Sequence, residues 1–449
     1  MPRVSTILTK KIKKEWHMLA YVIFLQYLCR RIAKKNTTMQ ISDTGFLCGY
    51  FTARSGKAAA YLNGLPEWQL RTYTEAEKAG LGNYYLPEFA SFVTEEMPQY
   101  TRTIDAPCRL TFADETVDFH LTDLQVWLAP FGIVLYAIGV RIEQLPFDSV
   151  TRALNALRSC AYYDALQQPF VAQALTPIVS LYNAATGEAK TTEGDVSWLV
   201  ESGNKFRLFH VVSDVTPWDE GDRDYLLYDA ATLARHTPLS MGMNSPSYFE
   251  HILDDYRISV FNGWTGLALL DTFTLLSIDT PERVRQSWLN DYFARVYIYQ
   301  LFRKAFLYSI NLRYRQRTEN VEVLESLLSR FEQNYSYPNL SYNFLPNIIN
   351  EAIERSMKTQ QDNEQLNRMI SREMETRRQA ADERTNKFLT FLTVLTLFSA
   401  VYDFTCLAND SLSFEHLFAT AESGFRFVST VMLLVIVVVY LVLIRRSKR

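Results

Sequence analysis

The chain is 449 residues long, carries a formal net charge of -3 from 46 basic and 49 acidic side chains, and is 48% hydrophobic and 21% charged. So even a charge balance excludes a polyelectrolyte that coats nucleic acid, and the apolar fraction excludes disorder over most of the length. The length suffices for a sizeable core with further segments.

From the N-terminus, the first apolar stretch is WHMLAYVIFLQYLC, Trp16 to Cys29, between KKIKK and RRIAKK. Its fourteen residues are short for a span, its flanks are basic on both sides, and no small-residue cleavage site follows. A buried element of the body is the expectation, with a helix along the inner leaflet or a true span as the other readings. GLGNYY from Gly80 lacks the third glycine and the Lys-Ser/Thr of a phosphate loop and reads as a turn.

Alternation between Ala106 and Gln144, with DLQVWLAP and IVLYAIGVRIEQ separated by Phe131 and Gly132, predicts a β-hairpin. Helical periodicity follows from Asp148 to about Tyr182, and KFRLFHVV starts a strand near Lys205. In YRISVFNGWTGLALL, Asn262 and Gly263 suit a tight two-residue turn, which predicts a second hairpin. Trp264 and Asp271 there are pocket or core residues, core being the expectation for an aromatic in a half-buried strand. Asp254 and Asp255 form an acidic pair, read as surface or, less readily, as part of a cation sensor. Together these elements predict an α/β body up to about Ile278.

At Asp279 the character changes. DTPERVRQSWLNDYFARVYIYQLFRKAFLYSI opens with an Asp/Thr cap and Pro281, then places Leu289, Phe293, Val296, Phe302, Phe306 and Ile310 at helical spacing. One long amphipathic helix is predicted. After the break NYSYPNLSYNFLP, no Gly or Pro occurs from Asn347 until Gly424, so a second helix is expected from Pro346 to Leu407, about 90 Å long. Its charged middle reads as a solvated rod, as a helix packed on its long neighbour, or as one member of an oligomeric bundle with a seam of Leu366, Ile370, Met374 and Ala381.

Two runs near the C-terminus, Phe388 to Leu407 and Phe427 to Ile444, match the roughly 30 Å of a bilayer core. The second is followed by RRSKR, which places the C-terminus in the cytosol and, after two crossings, the large N-terminal body as well. The connection after Leu407 holds Asp410, Glu415 and Glu422 and no Lys or Arg up to Gly424, as an outer loop should. The five cysteines, at 29, 48, 108, 160 and 406, form no CxxC pair and are expected to be reduced thiols.

The first run is polar along one edge. Stepping back from Asp403 by threes and fours gives Ala400, Thr396, Thr393, Leu389 and Asn386, with Leu407 ahead. An ionised carboxylate at the centre of a spanning helix costs on the order of 3 kcal/mol, so Asp403 should face water or protein. Several copies around an axis would line a channel with these seven residues, the Asp403 carboxylates forming a ring toward the outside and Asp410 following at the outer mouth. Alternatively, the threonines bond their own backbone or a neighbouring helix.

On these residues the C-terminal part, about Asp279 to Arg449, resembles the CorA-type divalent-cation channels. NKFLT at Asn386 to Thr390 is similar to the start of that family's first span, and Asn409 stands where its Gly-Met-Asn filter ends, with Leu407 and Ala408 in place of glycine and methionine. The resemblance implies a CorA-like funnel, a pentamer by analogy with a tetramer still open, whose first span lines the pore. It implies gating by the cytosolic domain, and either a divalent cation such as magnesium or a nucleotide-derived ligand as the small molecule that acts on it. The altered filter and the long body are similar to a branch associated with type III CRISPR defence rather than to housekeeping transport.

The expected organisation is a sensor body over 1–278, helices over 279–387, a pore-lining span over 388–407, an outer loop over 408–426, a second span over 427–444 and a basic tail over 445–449. The expected location is the cytoplasmic membrane, with the lipid bilayer, further copies of the chain and a small-molecule signal as partners and no direct nucleic-acid contact. The six histidines, at 17, 120, 210, 236, 251 and 416, form no HExxH pair, and no nucleophile has a base at recognisable spacing, so no catalytic residue is expected. A signal-gated pore, a divalent-cation transporter and a non-conducting membrane scaffold are the function classes that remain.

Overall fold

A computed structural model describes residues 39–159, 168–192, 196–200, 205–215, 220–235, 245–278 and 280–410, with 428, 431 and 432. The chain divides into two compact units at Asn367 and Arg368.

Nine strands of the first unit form one mixed sheet: β1 (Gln40–Thr52), β2 (Gln69–Leu70), β3 (Gln99–Thr111), β4 (Thr116–Ala129), β5 (Ile133–Pro146), β6 (Arg207–Ser213), β7 (Arg257–Ile258), β8 (Trp264–Ala268) and β9 (Thr272–Ser277). Their order is β2-β3-β4-β5-β1-β6-β9-β8-β7, and every neighbouring pair is antiparallel except β6 and β9. The predicted hairpin is β4 and β5. Its turn passes through Phe131 (φ 61) and Gly132 (φ 76), and a Cβ on Gly132 would fall 2.5 Å from the Ala53 carbonyl oxygen. The strained Phe131 is held by its ring, 4.7 Å from Phe306 and 5.5 Å from Tyr335.

The central strands are buried on both faces, which is why β5 and β6 read as nearly continuous apolar runs. On one face Leu47, Phe51, Ile138 and Leu208 join a core with Leu62, Leu154 and Ile178 from the helices Ser55–Asn63, Phe147–Leu157 and Thr176–Thr186. On the other face Phe46 stacks on Phe293 at 3.9 Å, and Phe209 packs on Phe273 and Tyr297 at 4.8 and 5.2 Å. Each such buried phenylalanine contributes about 2–3 kcal/mol.

The expected helix from Asp148 to Tyr182 is interrupted. Phe147–Leu157 ends at Arg158, whose carbonyl accepts from the Phe206 N–H while Ser159 bridges Lys205, and helical structure is next described from Gln168 to Thr186. The second hairpin exists, but residues 259–263 connect β7 to β8, because Ile258 pairs with Gly266 and the Gly263 carbonyl already accepts from Ile278. Asn262 and Gly263 do lie in a turn, but neither has a positive φ and they are only the end of a longer link, and a third strand, β9, pairs with β8. Nor is GLGNYY a turn: Gly80 to Tyr84 are the second half of the helix Glu75–Tyr84.

From Glu282 to Gln316 the chain is helical throughout, in α, π and α segments Glu282–Ser287, Trp288–Tyr297 and Ile298–Gln316. All six apolar positions named for it are buried. Pro281 is its N-cap with no side-chain cap bond, since the Thr280 hydroxyl donates to Gly263 instead. Helices Val321–Tyr335 and Phe344–Met357 follow.

The expected unbroken helix from Pro346 to Leu407 is two helices. Lys358 turns left-handed (φ 56), and Thr359–Asp410 begins after it. Lys304 Nζ donates to the Met357 carbonyl freed by this break at 2.7 Å, which explains how a kink exists without glycine or proline. Along the expected seam Leu366 and Ile370 are buried, Met374 is half-buried and Ala381 is exposed.

Candidate functional site: an unburied apolar helix and an arginine-lined cleft

Thr359–Asp410 is one helix of 52 residues. Its first turns belong to the first unit, where Asp362 pairs with Lys304 at 2.5 Å and Glu332 accepts from Asn363 and Asn367 at 2.8 and 2.6 Å. Further along lies an 18-residue apolar window, none of it buried, in the one helix among the described residues that is long and apolar enough to cross a membrane. Phe388, Phe391 and Phe398 are 60%, 61% and 70% exposed. Water would forfeit about 2 kcal/mol for each such side chain relative to burial, so this surface belongs against lipid or protein.

The polar edge read from the sequence lies along this helix. Asn386, Leu389, Thr396 and Asp403 are exposed, Thr393 and Ala400 are half-exposed, and the helix backbone continues through Leu407, Asn409 and Asp410. Thr390, Thr393 and Thr396 donate to the carbonyls of Asn386, Leu389 and Leu392 at 2.8, 2.8 and 3.0 Å. Their protons are thus spent inside the helix, while their oxygen lone pairs stay open to water or a cation. The loop after Asp410, the run Phe427 to Ile444 apart from Val428, Val431 and Met432, the basic tail and Trp16 to Cys29 lie outside the described residues.

A cleft of about 370 Å³ opens in the first unit between the helix Glu75–Tyr84 and the π segment Trp288–Tyr297. The sequence TEAE starts the first wall: the Thr74 hydroxyl accepts from the Glu77 N–H at 3.2 Å, and Glu77 Oε2 accepts from the Thr74 N–H and hydroxyl at 2.8 and 2.9 Å. Those bonds hold the Glu77 carboxyl below the usual carboxylate range. Beyond Tyr84 the chain is pinned, Leu86 N–H donating to Leu340 at 2.9 Å and the Ser341 hydroxyl to the Tyr84 carbonyl. From the opposite wall the Tyr292 hydroxyl bonds that of Tyr84 at 3.0 Å, and burial pushes its pKa up. Arg295 pairs with Asp291 one turn earlier. Sequence reasoning passed over this site; the capping box at Thr74 was the signal for its first wall, and nothing in the sequence joins residues about 210 positions apart.

Other singled-out residues are structural. Trp264 is buried with its ring 4.9 Å from Trp288, and Asp271 pairs with Arg158 at 3.0 Å. Asp255 stands 3.4 Å from His251, and among the described residues no group of three or more His, Cys, Asp and Glu is arranged to hold a metal. His210 bonds Asp43 Oδ2 through Nδ1 and Thr274 Oγ1 through Nε2, both at 2.7 Å. This acid, base and hydroxyl trio resembles catalytic machinery, but none of the three is more than 2% exposed, so no substrate reaches it. No family model matches this sequence, and no curated protein matches it.

Proposed function

We propose that several copies of this chain assemble in a membrane around helix Thr359–Asp410 to form an ion-conducting pore, whose opening the N-terminal body controls in response to a small molecule. The observation that carries this reading is the unburied apolar window bearing Asp403 and a threonine edge, in a helix whose first turns are bonded into the body. A carboxylate among exposed Val401, Tyr402 and Phe398 avoids its insertion cost by turning toward water that other copies enclose. Lone pairs of Thr393 and Thr396 then form part of the wetted wall.

Reconstitution in liposomes tests the proposal. The combined variant Thr393→Leu, Thr396→Leu, Asp403→Leu should insert and assemble as the parent does yet lose ion flux. In a Cys406→Ser background, Thr396→Cys should react with a charged thiosulfonate and Phe398→Cys should not. Unchanged flux in the leucine variant, or equal reactivity at 396 and 398, refutes the pore. A second reading, a membrane-anchored scaffold that conducts nothing, is favoured by the threonine hydroxyls bonding their own helix. It predicts that the leucine variant retains every function of the parent.

A further inference from the structure

We propose that the cleft between Glu75–Tyr84 and Trp288–Tyr297 is a binding site for a flat aromatic ring joined to an anionic group, no larger than a mononucleotide. Its volume of about 370 Å³ is at the lower end for small-molecule sites. What selects the ligand is which polar groups are already spent. Both carboxylates are engaged, Glu77 by Thr74 and Asp291 by Arg295. Donors, in contrast, remain. Arg71 lies over the Tyr73 ring at 4.8 Å and makes no ion pair among the described residues. One of the two protons shared by the Tyr84 and Tyr292 hydroxyls has no acceptor in their mutual bond. Tyr85, 1% exposed, faces the Arg295 guanidinium without a well-formed hydrogen bond, so its hydroxyl is an unpartnered buried group beside the cleft. A lining rich in free donors and poor in free acceptors matches an anion, and the tyrosine faces match a planar ring.

Two features beyond the side-chain chemistry agree. The wall that carries Asp291, Tyr292 and Arg295 is π-helical over ten residues, twice the length of the π segments Phe92–Glu96 and Val171–Leu175, a geometry frequent at functional sites. Gly80, on the opposite wall, stands in mid-helix where alanine would be better, and a Cβ there would meet nothing within 4 Å. Its missing side chain leaves the cleft open. The π segment runs directly into Gln300, Arg303 and Lys304, which hold Asn350, Glu354 and Asp362 near the start of Thr359–Asp410. Control of that helix by cleft occupancy rests on the reading of the body as the sensing part; binding itself does not.

Calorimetric titration of the detergent-solubilised full chain with AMP, indole-3-acetate, adenosine and inorganic phosphate tests the site. AMP or indole-3-acetate should bind at least tenfold more tightly than adenosine and than phosphate, and whichever of the two is tighter distinguishes a phosphate-bearing from a carboxylate-bearing ligand. Arg71→Ala should weaken that binding at least tenfold while leaving adenosine within threefold. Gly80→Leu should abolish it while leaving the thermal melt at or above the parent's. Affinity equal for whole ligand and half ligand, no binding of AMP or indole-3-acetate at millimolar concentration, or parent-like binding in Gly80→Leu overturns the proposal. Since no titration reads ion flux, failure here leaves the pore reading standing, and failure of the pore leaves the site standing.

Discussion

Replacing His210 by alanine should destabilise the body by about 3–5 kcal/mol, because it strands a buried carboxylate. Asp43 is 2% exposed, its Oδ2 bonds only the imidazole at 2.7 Å, and its Oδ1 already has no partner. Thr274→Val removes a single neutral bond, that to Nε2, and should cost about 1 kcal/mol. The pair Asp43→Leu, His210→Leu removes donor and acceptor together and should be more stable than His210→Ala alone. Gly45→Ala should also destabilise, by about 1–3 kcal/mol, because its Cβ would fall 2.6 Å from that of His210. Urea unfolding of the solubilised chain, followed by near-ultraviolet circular dichroism, measures all four. A His210→Ala midpoint corresponding to less than 1 kcal/mol, or a double variant weaker than the single, would refute the argument.

Burial raises the Asp123 carboxyl above its ordinary range, against the opposing hydrogen bonds from Thr122 and Gln125. The folded state therefore keeps that proton to higher pH than the unfolded chain, so Asp123's contribution falls as pH rises from the unfolded pKa through the folded one. Asp123→Asn should gain stability relative to the parent at pH 7 and not at pH 3, as paired urea titrations will show. Burial also pushes the Cys108 thiol up to about 11 and the Cys48 thiol further. Iodoacetamide at pH 8 should leave both unmodified in the native chain and alkylate both in urea, read by peptide mass spectrometry. Arg303, 3% exposed, bonds Glu354 at 2.6 Å. Glu354→Ala should cost about 3 kcal/mol and Arg303→Met less, since the first leaves a buried cation unpaired; equal losses would contradict this.

The β4–β5 hairpin, the strand at Arg207, the helix through Phe293 and Phe306 and the apolar window after Asn386 were legible because each is written in local periodicity: two for half-buried strands, 3.6 for helices, and a continuous run for a lipid-length segment. The places where expectation failed share one cause. Arg158 ends its helix because Phe206 and Lys205 claim its neighbourhood, the link before Trp264 is lengthened where the Gly263 carbonyl accepts from the Ile278 N–H, and Lys358 breaks its helix because Lys304, 54 residues earlier, caps the freed Met357 carbonyl. Partners distant in sequence leave no trace in a local window.

The two candidate sites divide along the same line. By itself the sequence determined the polar edge of the apolar helix, since Asn386, Thr393, Thr396 and Asp403 need only one regular helix to fall into line. Tertiary structure alone decided the cleft, bringing Tyr84 to Tyr292 across a sequence separation of 208, and likewise turned His210, Asp43 and Thr274 into a buried strut rather than a reactive group. The physical reason is that periodicity orients a side chain on its own element, whereas its access to water and its hydrogen-bond partners are set by whatever packs against that element.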